Sequence, residues 1–119
     1  YKGIVDGKSH AVFNGKIFVR QDAQQTNAFQ SNNNISLSDL ATINTKPQLE
    51  IWADDVKCSH GCTVGQLDEE ALFYLRARGL DQRSAKSMLL IAFAEDTFEY
   101  VPFDFFKQEV GQLIQSRLG

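Results

Sequence analysis

Residues 56–79, VKCSHGCTVGQLDEEALFYLRARG, contain the change from a strand pattern to a helix pattern that decides the fold. Side chains alternate over residues 56–64, with valine at both ends of one row, and this alternation predicts a strand. Asp68 is a typical helix N-cap, two glutamates follow it at the positive end of the helix dipole, and Gly79 suits the left-handed residue that ends a helix. The chain therefore divides here into a strand-rich part, residues 1–67, and a helical part, residues 68–119.

The strand-rich part consists of short apolar runs broken by polar turns. Asn14 and Gly15 lie between two apolar runs, which predicts a tight turn between two strands. Further strands are predicted over residues 42–45 and 48–53, and their spacing leaves no room for helices between them.

Residues 21–34, QDAQQTNAFQSNNN, are rich in amide side chains. A low-complexity polar segment is one interpretation of this composition. Stacked Asn and Gln side chains that hydrogen-bond between neighbouring turns of a β-solenoid are the other. No fixed-period repeat is visible, so the residues leave the solenoid as one candidate among all-β architectures.

Two more helices are predicted in the second part. Asp81 can cap a helix whose apolar side chains recur with helical spacing, at Ala85, Met88, Leu89, Ala92 and Phe93. A third helix is predicted after Pro102, with one apolar side formed by Phe106, Val110, Leu113 and Ile114.

Composition excludes several classes of protein. The chain has 119 residues, of which 43% are hydrophobic and 23% charged, as in a globular domain. A net charge of -3 gives no electrostatic argument for nucleic acid or an anionic membrane as partner. The longest apolar run, residues 88–94, is too short to cross a bilayer. Two closely spaced cysteines do not form a secreted disulfide framework, so we expect a cytoplasmic protein.

Cys58, His60 and Cys62 share one face of the predicted strand. A disulfide is disfavoured because four strand residues separate the two Cα atoms by roughly 13 Å, against a limit of about 7 Å. A closed zinc site needs four ligands, and a catalytic cysteine–histidine pair lacks a third group to orient it. Two interpretations remain: buried thiols beside a histidine whose hydrogen bonds are satisfied, or an incomplete iron or iron–sulfur site that another chain completes.

Residues 45–80, TKPQLEIWADDVKCSHGCTVGQLDEEALFYLRARGL, closely resemble the C-terminal core of the SufB/SufD family, and its SufD-type members most of all. Residues 15–47 resemble the repetitive β core of the same family. The resemblance implies a mainly β fold with α, in which the end of a right-handed parallel β-helix is followed by a small C-terminal helical segment. It also implies that this chain is the C-terminal portion of a longer protein.

The resemblance further implies a scaffold subunit of the SUF iron–sulfur cluster assembly machinery, not an enzyme. His60 of the CSHG motif would bind a transient iron–sulfur cluster or iron shared with a partner subunit, and Cys58 is the second candidate ligand. Cys62 departs from the family pattern, which has a small residue such as alanine there, and is not expected to be a ligand. The alternative function is a metal-free β-solenoid module for protein interaction.

The helix EEALFYLRARGL resembles the region with which the family docks the ABC-type ATPase SufC. The expected partner-binding residues are Leu72, Phe73, Tyr74, Leu75, Arg76 and Arg78. Other expected partners are a SufB-like subunit or a second copy of this chain, because an isolated end of a β-helix exposes unpaired strand edges. The segment DGKS at residues 6–9 lacks the glycine spacing of a phosphate-binding loop, so we expect no nucleotide bound by this chain itself.

Overall fold

The structure, a computed structural model, describes residues 1–118. They form five strands and then three helices. The chain separates into two compact units, Tyr1–Gln66 with all the strands and a second that begins at Leu67 with all the helices. The elements are β1 Lys2–Val5, β2 His10–Val19, β3 Asn27–Ser36, β4 Thr42–Ile51, β5 Lys57–Gly65, α1 Glu69–Ala77, α2 Gln82–Glu95 and α3 Asp104–Arg117.

The strands lie in two separate sheets. One sheet has the order β1–β3–β5 and the other pairs β2 with β4, so consecutive strands alternate between sheets. Every pairing is parallel. Because the chain passes through a strand of the other sheet between two paired strands, all the hydrogen-bonded strand pairs are distant in sequence.

The predicted end of a right-handed parallel β-helix is wrong as a description of this structure. The described residues form parallel sheets of three and two strands together with three helices, an α/β mixture, and no closed solenoid occurs within them. Local patterns correctly indicated strands and helices. They did not determine how many strands enter each sheet or whether a sheet closes, because both depend on contacts between distant residues.

The predicted turn at Asn14–Gly15 is also wrong, because β2 runs through both residues without a break. The tight hairpin turn favoured by Asn-Gly needs positive φ angles, and Gly15 is not among the glycines with positive φ. Gly15 instead lies opposite Pro47 of β4 in the parallel register. Pairing with a distant strand overrides the local turn signal.

The two strands predicted over residues 42–45 and 48–53 form the single strand β4, which passes through Pro47. The Thr42 N–H donates to the Ser9 carbonyl, and the Trp52 N–H donates to the Val19 carbonyl. Even-numbered residues of β4 therefore direct their N–H groups at β2, and Pro47 lies on the opposite, unpaired side. A proline is tolerated there because no ladder hydrogen bond is lost.

Part of the amide-rich segment is a buried strand. Gln30, Asn32 and Asn34 of β3 are 7%, 2% and 5% exposed. The Asn34 Nδ2 donates to the Asn32 Oδ1 at 2.8 Å and to the Thr63 carbonyl at 3.2 Å. Asn32 and Asn34 hydrogen-bond to each other along β3, and Asn34 also bonds across to β5, so this part of the segment is not a solvated low-complexity tract.

The three predicted helices are confirmed. Asp68 accepts hydrogen bonds from the N–H groups of Glu70 and Ala71 at the start of α1, and Gly79 follows the helix with φ 103°. The core of the helical unit includes Leu90, which is fully buried, together with Ala85, Phe98 and Ile114. Across residues 1–118 no helix combines the length and apolar character needed to cross a membrane.

Candidate functional site

Cys58, His60 and Cys62 lie on β5, the last strand of the three-stranded sheet. Their alternate positions put them on one face, as the sequence predicted. Cys58 is half-buried, whereas His60 and Cys62 are exposed and Val64 is 55% exposed. Since β5 is the end strand of its sheet, this end of the face is open to solvent.

The backbone of these three residues faces the unpaired side of β5. The Lys57 N–H donates to the Thr26 carbonyl at 2.9 Å, so odd-numbered residues of β5 direct their N–H and C=O groups at β3. The backbone groups of Cys58, His60 and Cys62 consequently point away from β3, to the side where a further strand would add. The three donor side chains therefore lie beside an unpaired strand edge.

The donors do not form a complete site by themselves. Both cysteines are free thiols, and the His60 imidazole has no hydrogen-bond partner within residues 1–118. No group of three or more His, Cys, Asp or Glu side chains in this part of the chain is arranged to hold a metal ion. Thiolate and imidazole are ligands that suit iron and iron–sulfur units, so the row offers the correct chemistry with too few ligands.

The sequence did not show which amide side chains neighbour this row. In the parallel register Ala28 pairs with Cys58, Gln30 with His60, and Asn32 with Cys62. The Gln30 Oε1 is buried and has no hydrogen-bond partner. Alternate amides in residues 21–34 are the signal that would have placed Gln30 and Asn32 on one face, but only the register shows which residues they adjoin.

The predicted docking helix α1 contains no fully buried residue. Leu72 and Leu75 are half-buried, while Phe73 is 75% and Tyr74 is 56% exposed. The four consecutive apolar residues therefore divide into a pair that packs and a pair that faces solvent. Two adjacent exposed aromatic side chains form an apolar surface of the kind found at protein interaction sites.

The two arginines at the end of α1 differ in their contacts. Arg78 is the C-cap residue; its Nη2 donates to the Tyr74 hydroxyl at 2.7 Å, and its guanidinium lies 5.0 Å from the centre of the Tyr74 ring. Arg76 is exposed in the last helical turn, where a positive charge favours the helix dipole. Arg78 thus holds the Tyr74 ring in place on the exposed side of α1.

Comparison with known proteins finds one family for this sequence. The family model for the SUF system FeS cluster assembly SufBD core domain matches residues 1–93. The iron-sulfur cluster assembly protein SufD of Escherichia coli (strain K12) is 50% identical over 118 residues, which are 99% of this chain and 28% of that protein. An iron-sulfur cluster assembly SufBD family protein of Synechocystis sp. is 47% identical over 117 residues, 98% of this chain and 26% of that protein.

A third relative is similar over most of the chain. Protein ABCI7, chloroplastic, of Arabidopsis thaliana is 43% identical over 99 residues, 83% of this chain and 21% of that protein. The chain thus spans between 21% and 28% of the length of these three curated relatives.

Proposed function

This chain belongs to the SufB/SufD family of iron–sulfur cluster assembly proteins and is most similar to SufD, and from this membership we propose that it is part of a scaffold subunit on which a cluster is assembled. In this proposal the cluster or its iron is cargo, held transiently by His60, with Cys58 as second ligand. The scaffold pairs with a SufB-like subunit or a second copy of itself, and it performs no catalysis of its own.

One observation carries the proposal for the site. His60 and Cys62 are exposed and the His60 imidazole has no hydrogen-bond partner among residues 1–118, which disfavours the interpretation of buried thiols beside a satisfied histidine. The incomplete ligand row beside an unpaired strand edge is the arrangement that an interface site requires: a partner strand at this edge would bring its own side chains to the same face.

The test is His60→Ala in the full-length protein, purified anaerobically with its partner subunits and reconstituted with Fe²⁺ and sulfide. We expect most of the iron bound per complex to be lost, because the substitution removes the principal proposed ligand from a row that already has too few. Association of the subunits, measured by light scattering after gel filtration, should be unchanged.

His10→Ala is the matched control, because His10 is the other histidine of the chain and is exposed at the start of β2. It should leave bound iron unchanged. Wild-type iron content in His60→Ala, with intact subunits, would contradict the metal role of His60. It would favour the alternative in which this chain is a protein-interaction module that binds no metal itself.

We extend the proposal to an ABC-type ATPase that docks on α1. The exposed Phe73 and Tyr74 supply apolar contact area, and Arg78 fixes the Tyr74 ring, which lowers the entropy lost on binding. The ATPase, not this chain, would hold the nucleotide. A cytoplasmic location remains part of the proposal, because both cysteines of the chain are free thiols.

Substituting both Phe73 and Tyr74 by alanine should weaken binding of the SufC-type ATPase by about a hundredfold, because interface aromatics each contribute on the order of 1–2 kcal/mol or more. Isothermal titration calorimetry with the full-length protein measures this. Tyr100→Ala serves as control, since Tyr100 is a 91% exposed aromatic residue outside α1. Equal losses from both sets of changes would contradict docking on α1.

A further inference from the structure

We propose that Gln30 is a positioning residue for His60: its buried side-chain oxygen accepts a hydrogen bond from the His60 imidazole and thereby presents the other ring nitrogen to iron. This inference rests on the proposed function of His60 and goes beyond it by adding a residue from a second strand, one that contributes no ligand. Three observations about Gln30 carry it.

The first observation is register. Gln30 of β3 is directly paired with His60 of β5. Paired residues on neighbouring strands are about 4.8 Å apart along the hydrogen-bonding direction, and their side chains project from the same face. The imidazole of His60 and the amide of Gln30 therefore start from neighbouring positions on one face of the sheet.

The second observation is that Gln30 has an unsatisfied acceptor. Gln30 is only 7% exposed, and its Oε1 atom is buried without a hydrogen-bond partner. A buried amide oxygen without a donor is costly and rare, so it calls for an explanation. Asn34, two pairs along the same face, makes two hydrogen bonds through its Nδ2, so a missing partner is not general to this row.

The third observation is that the far end of Gln30 is held in place. A Cβ atom added at Gly15 would lie 2.4 Å from the Gln30 Nε2, so the side chain fills the space that this glycine leaves on β2. Gln30 therefore reaches across to the opposite sheet and has little freedom to turn towards solvent. An acceptor fixed in this way can orient a neighbouring ring.

The unpartnered acceptor of Gln30 is matched, among residues 1–118, by an unpartnered donor on His60. Its imidazole is an unpartnered donor within the described part of the chain, and the neighbouring amide is an unpartnered acceptor. Neutral imidazole carries one N–H and one free nitrogen, and the hydrogen bond made by the first decides which nitrogen binds the metal. Metal-binding histidines almost always have such a second partner, and losing it typically weakens metal binding by about 10- to 100-fold.

The test is Gln30→Met in the full-length protein assembled with its partner subunits. Methionine keeps the length and shape of glutamine and removes the acceptor oxygen, so the folded state should be as stable as wild type by thermal unfolding. We expect the affinity for Fe²⁺, titrated anaerobically against a competing chelator, to fall by about 10- to 100-fold. Pulsed electron paramagnetic resonance of the reconstituted, reduced cluster should show a changed nitrogen coupling from the histidine ligand.

Two further variants complete the design. Gln30→Glu keeps an acceptor oxygen and should retain nearly the wild-type affinity for iron. Gln48→Met removes an exposed glutamine from β4 and should change nothing. Unchanged affinity and nitrogen coupling in Gln30→Met, in a protein where His60→Ala does lose iron, would overturn this inference alone. Unchanged iron in His60→Ala would overturn the proposed function and this inference with it.

Discussion

At the scale of the residue, Gly15 shows how tightly the side chains between the sheets are packed. An added Cβ would lie 2.4 Å from the Gln30 Nε2 and 2.8 Å from two ring carbons of Phe13. Its φ angle is not positive, so the reason for glycine here is space and not backbone conformation. Gly61 of β5 has nothing within 4 Å of the same position.

We therefore expect Gly15→Ala to lower the free energy of unfolding by about 1–3 kcal/mol, the usual cost of overpacking. Urea unfolding followed by circular dichroism measures the change. Gly61→Ala is the matched control and should be neutral or slightly stabilising, because alanine lowers the entropy of the unfolded chain without a clash. Equal stability of the two variants would contradict the close approach at Gly15.

Residues also differ in how much of their place in the candidate site could be predicted from the sequence. Alternation alone placed Cys58 and His60 on one strand face, because that property depends only on spacing. Gln30 was one of many amides in its segment, and nothing local distinguished it. Its relation to His60 depends on the register between β3 and β5, which are separated by a complete strand in the other sheet.

At the scale of the element, the helices begin where their capping residues predict. The Asp81 carboxylate accepts the Ser84 N–H at 2.8 Å and the Ser84 hydroxyl at 2.9 Å at the start of α2. The backbone hydrogen bond from Ser84, followed by that from its side chain, lowers the pKa of Asp81 below its ordinary value of 3.8. Because the folded state favours the carboxylate, the cap stabilises α2 when Asp81 is ionised.

The contribution of Asp81 should therefore depend on pH. The stabilisation from the ionised Asp81 carboxylate is fully present above pH 3.8, and it is lost as the pH falls through the lower pKa of the folded state. We expect Asp81→Ala to lower the midpoint of thermal unfolding at neutral pH, and the difference from wild type to shrink in acid. Circular dichroism of the helical signal measures both midpoints.

Asp81→Asn is the control for this prediction, because asparagine also caps helices but does not titrate over this range. It should remain near wild type at neutral pH and should not share the acid-dependent loss. A difference between wild type and Asp81→Ala that stays constant from neutral to acid pH would contradict the role of the ionised cap.

Strands were harder to predict as elements than helices. The Asn14–Gly15 turn and the break at Pro47 were both expected from local signals, yet β2 and β4 run through them. The two errors have one cause: these residues lie opposite each other in a parallel pair, with Gly15 against Pro47. Pairing over the full length of two strands outweighs a local preference for a turn.

At the scale of the whole molecule, β5 is an unpaired edge that carries the candidate ligands. Val64 is the neighbour of that row, 55% exposed, and its backbone also faces the unpaired side. Proline at this position removes an N–H that β3 does not use, so it blocks strand addition while leaving the β3–β5 ladder intact.

If the partner subunit adds a strand to this edge, Val64→Pro should weaken subunit association by at least about tenfold. The substitution removes one backbone hydrogen bond and introduces a ring at the interface, and together these changes cost more than about 1.4 kcal/mol of binding free energy. Analytical ultracentrifugation of the full-length subunits measures this. Val64→Thr, which keeps the N–H, should associate as wild type does. Unimpaired association of Val64→Pro would show that pairing uses another surface.

Local sequence patterns were sufficient to predict the strand-rich and helical character of the two parts, the starts of the helices at Asp68 and Asp81, and the shared face of Cys58 and His60. Each of these depends on residues a few positions apart, where capping and side-chain periodicity act. Three features became visible only in the folded chain: the division of five strands into two parallel sheets, the passage of β2 and β4 through their predicted breaks, and the pairing of Gln30 with His60. These features come from hydrogen bonds between strands that are distant in the chain, whose register follows from the packing of all the strands together.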